Sequence, residues 1–179
     1  MRIKLFLFLN LFLAFYHYTG YANLSVPNQE FETAATFVEN REYEQAIPIL
    51  TKLINENPKF LEAFLQRGLA FYYLNELNRA YVDFTKTTKI DSQFAMGYQF
   101  SGMVLYRKGL LDDAIVAFDQ AIKNDPELGL AYYNRGMAFL HKHRLDLSWN
   151  DLIKAKDLGV EVDTALLSDL SSALRESSN

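Results

Sequence analysis

The chain has 179 residues, half of them hydrophobic and 22% charged, which suits one domain of ordinary size with a sizeable core and argues against general disorder. It contains no cysteine, which excludes disulfide stapling, thiol catalysis and thiolate metal sites. Its formal charge of −4 is a poor footprint for nucleic acid, which calls for a basic face.

The first element lies at the amino terminus. Arg2 and Lys4 make a basic start, residues 5–16 are apolar apart from Asn10, and Gly20 and Ala22 supply a small-residue exit. This pattern predicts a secretory signal peptide over 1–22, cleaved after Ala22. The apolar run is short for a membrane span, which takes about 20 residues. Asn10 and His17 count against the alternative, an uncleaved anchor. The expected location is therefore outside the cytoplasm, periplasmic or secreted, with membrane contact only if the segment is retained. Loss of residues 1–22 takes away two basic residues and no acidic ones, leaving a formal charge of −6. Asn23-Leu24-Ser25 is an N-glycosylation sequon, relevant only in a eukaryotic secretory pathway.

From residue 27 onward the sequence resembles itself in steps of 34. Gly68, Gly102 and Gly136 fall in register, with Ala34 in the earlier slot. Ala46, Ala80, Ala114 and Ser148 form a second column, and Phe37, Phe71, Leu105 and Phe139 a third. Leu50, Phe84, Phe118 and Leu152 form a fourth, and Phe64, Tyr98 and Tyr132 a fifth. Pro58 and Pro126 close two units, where Ser92 and Val160 stand in the other two. Self-similarity at this period predicts a stacked helical solenoid. Within 61–74 apolar residues recur at 3.6-residue spacing, a polar turn follows at 75–78, and Ala80, Phe84 and Thr87 open a second periodic run. Each unit is thus expected to be two antiparallel helices. The glycine and alanine columns mark where their backbones pass closely, and a larger side chain there would strain the pair by about 1–3 kcal/mol.

The segments FLQRGLAF, AYVDF, YQFSGMVL, AIVAF and YYNRGMAF carry a resemblance to the tetratricopeptide repeat family. The resemblance implies a right-handed all-α solenoid of helix-turn-helix repeats, with units at about 27–60, 61–94, 95–128 and 129–162. The first unit departs from the pattern, with Glu30 in the aromatic slot and Ala34 in the glycine slot, as an end unit facing water would. Beyond the repeats, Asp163 and Thr164 offer an N-cap. Leu166, Leu167, Leu170, Ala173 and Leu174 then make one apolar stripe opposite a polar face. Residues 163–179 are expected to be a capping helix with a frayed tail, the alternative being a dimerisation helix.

No G-x-G-x-x-G, P-loop, H-E-x-x-H or G-x-S-x-G occurs. His141 and His143 could in principle hold a transition metal, but no carboxylate or thiol cluster accompanies them, and a polar inter-helix turn accounts for the pair. Asp112 and Asp113 fit a helix start better than acid–base catalysis. The expectation is no enzyme, no cofactor, no metal and no small-molecule substrate. The family resemblance places ligands on the concave face, lined by the first helix of each unit. Carried over by alignment, the lining is Phe31, Ala35 and Val38, then Leu65, Leu69, Tyr72 and Tyr73, then Gln99, Phe100, Met103 and Tyr106. Tyr133, Asn134, Met137 and His141 complete it. The residues expected to meet a partner are Leu65, Leu69, Tyr73, Met103, Tyr106, Tyr133, Asn134 and Met137. Tyrosine brings contact area with a hydroxyl, and methionine adapts to irregular surfaces. Family members with a carboxylate clamp place Lys, Asn and Arg on these helices; the matching slots here hold Phe31, Ala35, Gln66, Met96 and Phe100, so the clamp is missing. The expected function is a scaffold or adaptor gripping an apolar protein segment. A structural role through self-association is the alternative.

Overall fold

The computed structural model describes residues 29–176; the expected signal peptide, the sequon and the start of the first unit lie outside the described residues. Nine helices make up the described chain, and no strand occurs within it. They are α1 (Gln29–Glu39), α2 (Tyr43–Glu56), α3 (Leu61–Tyr73), α4 (Leu77–Ile90), α5 (Ala95–Arg107), α6 (Leu111–Asn124), α7 (Gly129–His141), α8 (Leu145–Asp157) and α9 (Thr164–Glu176). The first eight form helix hairpins stacked in chain order, each packed against the next, and α9 lies against α8.

The repeating columns meet in space. A Cβ placed on Gly68 would lie 2.6 Å from Phe84 Cε1, and one on Gly102 would lie 2.6 Å from Phe118 Cε1. At Gly136 the nearest atom is Leu152 Cγ at 3.1 Å. Each glycine thus receives the large residue sixteen positions later on the second helix of its own hairpin. Leu50, Phe84, Phe118 and Leu152 are fully buried, and so are Ala46, Ala80, Ala114 and Ser148. Burying one such side chain stabilises by about 1.5–3 kcal/mol. Ser148 fits the small-residue column by size, yet its hydroxyl is buried without a hydrogen-bond partner, a local cost that alanine would avoid.

The hairpin turns are set by a column of a different kind. Arg41, Asn75, Gly109 and His143 all have positive φ, between 55° and 75°. In each turn the second residue of the backbone lock closes over this left-handed position. Glu42 donates its N–H to Phe37 O, Glu76 to Phe71 O, Leu110 to Leu105 O and Arg144 to Phe139 O, at 2.8–3.0 Å. These are Schellman-type closures, which satisfy carbonyls left open at a helix end. The exits from α2, α4 and α6 use a second column: Asn57, Asp91 and Asp125 each accept a backbone N–H two residues on. After α8 the slot holds Gly159 at φ +85, so the exit turns differently and the repeat ends.

The first and last described helices are tied to their neighbours in different ways. At the start, Glu30 forms an ion pair with Lys52. At the finish, Asp163 Oδ1 accepts the Ala165 N–H at 2.8 Å, and Leu167 and Leu170 are buried with Leu152, Ala155 and Val162. The apolar stripe of α9 thus packs onto the last hairpin, while Ser168, Asp169, Ser172 and Arg175 stay exposed.

Candidate protein-binding groove

The first helices α3, α5 and α7 stand side by side, and the 34-residue register carries equivalent positions from one to the next. One column, Leu69, Met103 and Met137, is half-buried throughout. Leu69 and Met103 rest on the core cluster around Phe84 and Val104, and Met137 on the cluster around Leu152. Tyr106, Tyr133 and Asn134 are half-buried as well, and Tyr73 is 56% exposed. Seven of the eight expected contact residues therefore present surface.

Leu65 does not. It is 1% exposed and belongs to the cluster that includes Phe71, Phe84, Phe100 and Val104. It lies in the seam closed by α5, one turn before Leu69, so it supports the surface instead of forming it. Phe31, Gln99 and Phe100, assigned to the lining by alignment, are likewise buried. Among the described residues no group of three metal-ligating side chains exists; His141 packs edge-on to the Tyr106 ring, centroids 5.3 Å apart. No helix among the described residues is long and apolar enough to cross a membrane.

An aromatic row follows the C-terminal ends of these helices. Tyr43 and Tyr73 stack with centroids 5.3 Å apart, and Tyr72 meets Tyr73 edge-on at 5.5 Å. Arg107 lies over Tyr72, 4.7 Å from its centroid. Burial raises the pKa of the Tyr72 and Tyr106 hydroxyls, the Arg107 charge partly offsetting this at Tyr72 and Tyr133 adding to it at Tyr106. These groups are neutral donors at any ordinary pH.

Behind the groove, two arginine–aspartate pairs brace alternate hairpins. Arg67 donates to both Asp83 oxygens at 2.8 Å and to Thr51 Oγ1 at 3.0 Å. Arg135 donates to both Asp151 oxygens at 2.7 Å and also to Asp119. Burial works against the Arg135 charge, but its bonds to Asp151 and Asp119 outweigh this and hold its pKa above the usual guanidinium value. The pair recurs at a step of 68, twice the basic repeat. In the intervening hairpin the slots hold Ser101 and Ala117, and the Ser101 hydroxyl is left buried and unpartnered. The set repeats at 68 residues, so a 34-residue register does not reveal it.

A tetratricopeptide repeat model matches residues 101–155. None of the curated proteins matches the sequence significantly. Among solved structures, PilF of Pseudomonas aeruginosa superposes with a TM-score of 0.74 at 20% identity, covering 83% of this chain and 69% of that one. MamA from residue 41 to its end, from Desulfovibrio magneticus RS-1, gives 0.66 at 21% identity over 75% and 77% of the two chains. The first such domain of Spaghetti (RPAP3), bound to the HSP90 peptide SRMEEVD, gives 0.61 at 18% identity over 64% and 93%. These likenesses establish a tetratricopeptide-type solenoid fold.

Proposed function

We propose that this protein is an exported scaffold or adaptor that holds a segment of a partner protein along the first helices α3, α5 and α7. The observation that carries the reading is the half-buried column Leu69, Met103 and Met137, in register on successive first helices, with Tyr106 and Tyr133 half-buried on the same helices. A row of apolar side chains left partly at the surface fits an interaction site. The peptide-bound RPAP3 domain supports the choice of a protein segment as guest. The clamp residues needed for an acidic C-terminus are replaced here by Phe31, Ala35, Gln66, Met96 and Phe100, so the guest is expected to be largely apolar. An affinity near micromolar, about −8 kcal/mol, would suit a modest interface. Export rests on the leader pattern in residues 1–22. The four-unit division at 27–60, 61–94, 95–128 and 129–162 is the arrangement we assign, with 163–179 as its cap.

Photo-cross-linking tests the proposal. A benzophenone side chain at Met103 or Met137, irradiated in the native host's envelope fraction, should give one shared adduct. The same group at Val116, which is 60% exposed on α6, should not. Adducts from Val116 alone would refute the groove.

A further inference from the structure

Resting on that reading, the charge pattern of the groove points to one property of its guest. The column Tyr73, Arg107 and His141 is exposed at the C-terminal ends of α3, α5 and α7. Arg107 stands between the two rings, and its guanidinium is fixed. It donates to the Tyr72 carbonyl at 3.1 Å and to Asn75 Oδ1 at 2.8 Å, while lying over the Tyr72 ring. Both acceptors are neutral. Arg67 and Arg135, on the other face of the first helices, are each neutralised by a bidentate aspartate. Arg107 keeps its charge in a chain whose overall balance is negative. Two of its five N–H donors are used in these bonds and the Tyr72 side chain is a further neutral partner, which leaves donors for a ligand.

This geometry is that of a prepared anion site. A guanidinium already held by two hydrogen bonds and a ring loses little freedom on binding. The Tyr72 ring under the guanidinium shields one of its faces, and a carboxylate meeting the free edge would form a charge-assisted bond. We propose that the bound segment carries one aspartate or glutamate side chain, seated on Arg107, with apolar neighbours lying along Leu69, Met103 and Met137. The carboxylate sets the register of the segment, and the apolar residues supply contact area.

Panning a phage-displayed random dodecapeptide library on the full chain tests this, with the enriched sequences then titrated as synthetic peptides by fluorescence anisotropy. Enriched peptides are expected to hold an Asp or Glu beside apolar residues, and changing it to Asn or Gln should weaken binding about tenfold. Arg107→Gln should weaken the acidic peptide by the same factor and leave the amide peptide unchanged, a difference that a purely structural role for Arg107 would not produce. Peptides lost on Leu69→Glu but indifferent to Arg107→Gln would overturn the carboxylate assignment and keep the groove. Peptides indifferent to Leu69→Glu would overturn the groove itself, and a library with no enriched sequence would count against both.

Discussion

Valine in place of Gly102 is expected to cost about 3 kcal/mol of stability, and to lower the thermal midpoint by roughly 10 °C. The reason is distance. The first added carbon already lies 2.6 Å from Cε1 and 2.7 Å from Cδ1 of Phe118, a ring with no exposed surface and no room to swing away. Helix propensity works the other way, because a residue other than proline replacing a mid-helix glycine gains up to about 1 kcal/mol. Overpacking wins at Gly102. At Gly136 the two terms nearly balance, since the closest atom is at 3.1 Å, so Gly136→Ala should melt within a few degrees of the natural protein. Circular dichroism melts of both variants check the ordering. Adding Phe118→Leu to the Gly102→Val variant should recover part of the loss, because the clash is with that ring. Equal melting of Gly102→Val and the unaltered chain would show that the helices do not approach as described.

Removing Asp83 should be at least as damaging, by about 3–5 kcal/mol, through an uncompensated charge. Asp83 is 2% exposed and holds both arms of Arg67, whose remaining partner is the neutral Thr51 hydroxyl. In Asp83→Ala the guanidinium stays half-buried with no carboxylate within reach. The matching change Asp151→Ala should cost distinctly less, because Asp119 still accepts from Arg135. Urea titration of the two variants measures the difference. A double change, Arg67→Met with Asp83→Leu, should restore most of the stability, since the loss comes from orphaning one charge and not from the worth of the pair. Asp151→Ala proving the worse of the two single variants would contradict the assigned geometry.

The architecture was readable because its determinants are size and polarity at a fixed period. Glycine, alanine and the large apolar columns announce themselves at step 34, and the structure shows Gly68 meeting Phe84 and Gly102 meeting Phe118 as that period requires. The cap was legible for a similar reason: Asp163 and the leucine stripe of α9 are local signals. The turn column was hidden. Arg41, Asn75, Gly109 and His143 share a backbone angle and no chemistry, so nothing in their side chains links them. The Arg–Asp braces escaped because they skip a unit. Leu65 was misplaced because helical spacing identifies a face of a helix but does not fix where the neighbouring helix ends and the surface begins. The four-residue difference between Leu65 and Leu69 is one turn, and α5 covers the first and leaves the second half open.

Charging the groove tests the central claim most directly. A variant carrying Leu69→Glu, Met103→Glu and Tyr133→Glu, compared with one carrying Val82→Glu and Val116→Glu on the second helices, separates the two faces of the solenoid. Both should keep the helical spectrum of the natural chain. Capture of the photo-cross-linked partner from the native envelope should disappear for the first variant and persist for the second. Persistence in the first, or loss in the second alone, would place the working surface on the other side of the molecule.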